Sequence, residues 1–138
     1  MRIVVATTFV PFSPGPADGV ADALVAACRA GGDEADRVRL PRGAHFAAAC
    51  RLTDVGADRL LCLDARAALL DHPARRVWLL DAEGLDEDPV RAAVAAAAVH
   101  AATEPVRERL AAVGVPATLL PLPSDPAAWA HTVDALAR

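Results

Sequence analysis

The chain contains no lysine, no asparagine, no glutamine and no tyrosine. Each gap removes a chemistry. Without lysine there is no Schiff-base amine and no phosphate-loop ammonium, and without tyrosine there is no phenolic acid. All 14 basic side chains are arginine, a pattern that a GC-rich genome leaves by itself. The three cysteines, Cys28, Cys50 and Cys62, are odd in number and widely spaced, so no disulfide framework is expected. They read as small core hydrophobes. No G-x-G-x-x-G or G-K-[ST] pattern follows the first strand, which argues against a dinucleotide or nucleoside triphosphate site. None of the histidines His45, His72, His100 and His131 forms an H-x-x-x-H or H-E-x-x-H pair, and no G-x-S-x-G elbow is present. Neither a metal nor a cofactor is expected.

Charge and hydropathy narrow the class further. The net charge of -4 leaves no basic footprint for nucleic acid. The alanine run from Ala92 to Ala98 is far shorter than the ~20 residues that cross a bilayer, so no membrane span is expected. Met1-Arg2 leads straight into a strand with no leader pattern, and a cytoplasmic location is the expectation. With 138 residues, 54% of them apolar, the chain has enough material for one packed domain over residues 1–138.

What is present is an alternation of strands and helices. Arg2 to Thr8 carries the continuous apolar run Ile3-Val4-Val5, as a strand covered on both faces does. The loop from Phe9 to Gly19, with Pro11, Pro14, Pro16, Gly15 and Gly19, exceeds the ~2–6 residues usual for a strand-to-helix connection. Long connections of this kind often carry function. Asp18 is placed to cap a helix over Val20 to Ala30, whose Val20, Leu24, Ala27 and Cys28 share a face. A second strand over Asp36 to Leu40 turns Val38 and Leu40 inward. Ala44 to Leu52 reads as a short helix, Asp58 to Asp64 as a strand, Ala65 to Leu70 as one or two helical turns, and Arg76 to Leu80 as a strand ending at Asp81. Pro89 suits a first helical turn in a helix over Val90 to Ala97. Val99 to Thr103 follows as a strand, Thr103 or Glu104 caps a helix to Val113, and Ala117 to Leu122 makes the last strand. Residues 124–138 form a C-terminal helix with Trp129, Val133 and Leu136 on one face. Strands joined by helices mean crossover connections. The expected architecture is a Rossmann-like open α/β fold, with a mainly parallel sheet of about six strands between helices in a three-layer sandwich.

In such sheets ligands sit outside the carboxyl ends of the strands. Those ends carry Thr7 and Thr8, Asp64, Asp81 with Glu83, and Thr103 with Glu104. Asp64, Asp81 and Glu83 are the candidate acid/base residues, since paired carboxylates whose pKa values are pushed apart can divide acid and base roles. The bland alternative is that Asp64 caps the turn after it and Asp81 is solvated. Thr7, Thr8, Gly15, Gly19, Thr103 and Glu104 are the candidate ligand-binding residues.

The order of these parts resembles the N-terminal, acceptor-side domain of GT-B glycosyltransferases of the family 4 type. The likeness rests on three stretches. Arg2 to Thr8 leads through Pro14 to Gly19 into the first helix. The passage from Gly56 to Leu80 sets Ala57-Asp58 before a strand, a short helix, His72-Pro73, Arg75-Arg76 and Val77-Trp78-Leu79. Val99 to Leu110 is then followed by Ala117 to Pro123. The resemblance implies a sugar-acceptor site near the first loop. It also implies a missing half: the family's nucleotide-sugar domain has no counterpart here, and the C-terminal helix follows where that domain would be inserted. The family's adjacent glycine pair is reduced to the separated Gly15 and Gly19, and Asp81 stands where the family tends to carry a histidine. The expected function is therefore a non-catalytic or partner-dependent binding module, with a sugar or other small-molecule acceptor and a second copy or a glycosyltransferase subunit as partner. The alternative is a small enzyme that reuses the crevice for Asp/Glu acid–base chemistry.

Overall fold

The computed structural model of the chain describes every residue except Pro14 and Pro16, so that part of the long first loop lies outside the described residues. Six strands form one all-parallel sheet: β1 (Arg2–Phe9), β2 (Glu34–Pro41), β3 (Arg59–Cys62), β4 (Arg75–Leu79), β5 (Ala98–Ala101) and β6 (Thr118–Leu119). Their spatial order is β2-β1-β3-β4-β5-β6. The winding direction reverses between β1 and β3, and such a switch point opens a crevice at the carboxyl ends of the two strands.

Side chains alternate between the faces of each strand, and the two cores follow that alternation. Val4, Ala6, Leu60, Cys62, Val77 and Leu79 point to one face. There they meet α2 (Phe46–Leu52), the 3-10 turn Arg66–Leu69, α3 (Asp88–Ala95) and α4 (Glu104–Ala112). Ile3, Val5, Leu61, Leu63 and Trp78 point the other way, onto α1 (Ala17–Ala30) and α5 (Pro126–Ala137). The expected three-layer arrangement is thus observed. Trp78 is fully buried in the second layer, where its indole N–H donates to the Leu120 carbonyl at 2.8 Å and its ring meets Trp129 edge-on at 6.2 Å.

Helix ends follow local chemistry. Thr103 caps α4 by accepting from the Val106 N–H, and Asp125 caps α5 by accepting from the Ala128 N–H, which settles Thr103 over Glu104 as the cap. Several boundaries differ from expectation. Helix α1 begins at Ala17, so Gly19 lies within it rather than in the loop. Asp18 does not cap α1; it sits in the first turn and accepts from the Gly15 N–H behind it at 3.0 Å. Helix α3 starts and ends two residues earlier than its periodicity suggested, and β6 spans only Thr118 and Leu119, the last bond to β5 being from the Leu120 N–H to the Ala101 carbonyl. Strand β2 is an edge, with Val38 and Leu40 half-buried against the first core. The strand also carries charge, as edge strands commonly do: Arg37 pairs with Asp18 and Asp22 of α1, and Arg39 stacks on the Phe9 ring of β1. At the opposite, amino edge of the sheet the Met1 ammonium and the Arg138 guanidinium both pair with Asp33.

Candidate functional site at the carboxyl edge

The switch point brings Thr8 and Asp64 together. Thr8 is the penultimate residue of β1 and Asp64 lies just past β3, which places them side by side in the parallel register. Asp64 accepts from the Thr8 N–H at 2.7 Å, from the Thr8 hydroxyl at 3.1 Å and from the Ala67 N–H at 2.9 Å. The last of these ties Asp64 to the 3-10 turn, whose N-cap position is Ala65. Burial pushes the Asp64 carboxyl above its usual range, and the three donors only partly offset it.

Thr8 is also an acceptor. Arg42, just past β2, donates from Nε to the Thr8 hydroxyl at 3.0 Å. A relay thus runs from Arg42 through Thr8 to Asp64. Thr7 points to the opposite face of the sheet, where its hydroxyl accepts from Arg37 at 3.2 Å. The two threonines therefore do different things, as strand alternation requires.

A second set of contacts crosses the mouth of the crevice. Glu83 Oε1 accepts from Arg42 Nη1 at 2.7 Å and from Arg66 Nη1 at 3.2 Å. Arg66 also donates from Nε to Glu87 at 3.0 Å. The Arg42 hydrogen bond, helped by Arg66, holds the Glu83 carboxyl below its ordinary range. Asp81 is exposed and accepts from the Glu83 N–H at 3.0 Å, which fixes the turn that delivers Glu83. Gly84, at φ +90°, follows immediately. A Cβ there would lie 3.3 Å from Arg66 Cγ, so the arginine stem lies against the glycine.

Two spaces open here. Thr8, Gly15, Asp18, Arg42, Asp64, Asp81 and Glu83 surround a hollow of about 30 Å³, room for little more than a water. Past Arg42 a cavity of about 740 Å³ lies between the loop after β2, the 3-10 turn and α3. That size suits a small organic molecule. Phe46, Leu69 and Val90 form its apolar wall, with Arg42, Arg66 and Glu87 among its polar lining. Of the sequence candidates, the structure brings Thr8, Gly15, Asp64, Asp81 and Glu83 together. Thr7, Gly19, Thr103 and Glu104 line neither space. A Cβ on Gly19 would meet nothing within 4 Å, Thr103 is used as a cap, and Glu104 pairs with Arg107.

Arg42, Arg66 and Phe46 were not singled out from the sequence. The signal was there for the arginines: each follows the carboxyl end of a strand, the rule that selected the acids. Among the described residues no three His, Cys, Asp or Glu side chains are grouped to hold a metal ion, and no helix is long and apolar enough to cross a membrane. Comparison of the chain with models of known protein families, with curated proteins and with solved structures finds no match.

Proposed function

We propose that the chain is a non-catalytic or partner-dependent binding module that holds a small hydroxyl-rich molecule at the carboxyl edge of its sheet. This is the part played by the acceptor-side domain in the glycosyltransferases its sequence resembles. One observation carries the reading: the acids at the crevice are committed to internal partners. Asp64 is held by three donors, Glu83 by two guanidiniums and Asp81 by a backbone N–H. Such a rim presents acids already paired with donors rather than a free acid and base. A hydroxyl both donates and accepts, and the arginines and carboxylates around the larger cavity offer both partners beside an apolar wall. A glycosyltransferase subunit supplies any transfer chemistry.

The test is a thermal-shift and calorimetric panel of sugars, glycosides, nucleotides and nucleotide-sugars. A specific ligand at a hundredfold excess over its Kd raises stability by ~2.7 kcal/mol. The expected hit is a sugar or glycoside, lost in Phe46→Ala. A blank across the hydroxyl-rich compounds overturns the reading.

A second reading, acid–base catalysis, draws on the opposed shifts of Asp64 and Glu83, the first raised by burial and the second lowered by Arg42 and Arg66. A pH–rate profile with a limb that disappears in Asp64→Asn would favour it. Activity unchanged in Asp64→Asn and Asp81→Asn would remove it.

A further inference from the structure

Glu83 is held unevenly. Both guanidiniums converge on one oxygen, Oε1, while among the described residues Oε2 takes no hydrogen bond. Neither arginine uses its Nη2. The arginines are the fixed side of this contact. They are 24% and 20% exposed, Arg42 is tied to the Thr8 hydroxyl, and Arg66 is tied to Glu87 and lies against Gly84. Glu83 is the loose side, 55% exposed, so it loses little by swinging into water. Two forks with spare donors match an oxyanion that brings two or three oxygens better than a carboxylate offering one. Of the other acids lining the cavity, Glu87 pairs with Arg66 and Asp88 with Arg91, and Asp86 is exposed to water, which screens its charge.

We infer that Arg42 and Arg66 form an oxyanion-binding fork for which Glu83 is the built-in occupant, and that the ligand of the adjoining cavity carries a carboxylate or phosphate group that displaces Glu83. The rest of the ligand lies along Phe46, Leu69 and Val90, which line the same space. The inference rests on the binding-module reading for the place of the ligand and adds the charge the ligand must bear.

Calorimetric titrations at fixed ionic strength with inorganic phosphate, glucose, glucose 6-phosphate and glucuronate test it, using the wild-type chain, Glu83→Gln and the double variant Glu83→Gln/Arg66→Gln. Circular dichroism checks that each variant folds. The wild-type chain should bind a charged sugar about tenfold more tightly than glucose, as charge-assisted bonds are roughly twice as strong as neutral ones. Preference for the phosphate ester or for the uronate identifies the group. Glu83→Gln removes the competing charge, so it should gain affinity for the charged sugars and for inorganic phosphate alone, and the double variant should lose that gain. Equal binding of glucose and its charged forms, or no gain in Glu83→Gln, overturns the fork. If Glu83→Gln binds inorganic phosphate and no sugar binds, the fork stands and the hydroxyl-rich reading falls. If glucose binds as well as its charged forms, the reverse holds.

Discussion

Thr8 gives Asp64 two hydrogen bonds at once, the backbone N–H at 2.7 Å and the hydroxyl at 3.1 Å. The pair closes the gap where the winding of the sheet reverses between β1 and β3. Asp64 thereby joins the end of one strand to the 3-10 turn after another. Replacing it with alanine strands the Thr8 and Ala67 N–H groups. Asp64→Ala should cost about 2 kcal/mol, the penalty for orphaned buried donors, read as a lower urea midpoint with an unchanged slope. Thr8→Ser, which keeps the hydroxyl, should cost much less.

Acid should weaken the fold with a sign set by individual carboxylates. Glu83 is held low by Arg42 and Arg66. Asp18 is also held low: burial opposes the shift, but the Gly15 N–H and Arg37 outweigh it. Each contributes stability that is present above its unfolded pKa and is lost as pH falls through its folded value. Asp64, raised by burial, works the other way: its contribution is fully present below its unfolded pKa and is lost as pH rises through its folded value. The urea midpoint should therefore fall below about pH 4.5. It should fall less steeply in Glu83→Gln and more steeply in Asp64→Asn. A Glu83→Gln curve parallel to that of the wild-type chain would show that the ion pairs across the crevice contribute nothing.

Phe12 sits at φ +65° in the turn closed by the Ser13 N–H on the Val10 carbonyl, and its side chain is wholly exposed. A left-handed conformation costs a residue with a Cβ roughly 1–2 kcal/mol, and the extra freedom of an unfolded glycine returns only part of that. Phe12→Gly should stabilise the chain by about 0.5 kcal/mol, seen as a raised Tm. Destabilisation would mean that the ring makes contacts that matter.

Gly84 is the reverse case. It has a positive φ and the Arg66 stem lies against it, so Gly84→Ala should cost about 1–2 kcal/mol and displace Arg66. The variant should also bind charged ligands less tightly, and equal affinity would show that Arg66 is not part of the fork.

The cysteines should be inert in the folded chain. All three are buried. Burial pushes the Cys28 and Cys50 thiols up to about 11, with the neighbouring acids Asp33 and Asp64 adding to it, and raises Cys62 further. A thiol reagent should label none of them in the native protein at pH 8 and all three in denaturant. Fast labelling of Cys50 would reveal local opening of α2.

The layers of this fold were legible because the apolar runs of β1, β3 and β4 are continuous and the helices between them are periodic. The sheet edges were less so: a strand of two paired residues leaves almost no periodic trace, and the start of α1 is hidden behind prolines and glycines. The candidate site was half legible. Asp64, Asp81 and Glu83 stood out as acids at strand ends, but only the register of β1 against β3 shows that Thr8, not Thr7, faces Asp64. Arg42 and Arg66 were missed because arginine in a chain without lysine reads as ordinary surface charge. Residues 8, 42, 64 and 83 are drawn together by pairings that local sequence does not encode.

The meeting of Met1 and Arg138 on Asp33 has a practical corollary. Met1 and Arg138 both lie at the amino edge of the sheet, and the Arg42–Glu83–Arg66 crossing lies at the carboxyl edge. A tag, a surface tether or a fused protein joined at either end would leave the cavity mouth facing away from it. The chain can therefore be immobilised through either terminus for ligand screening, or carried as an insert within a host protein through two closely spaced junctions.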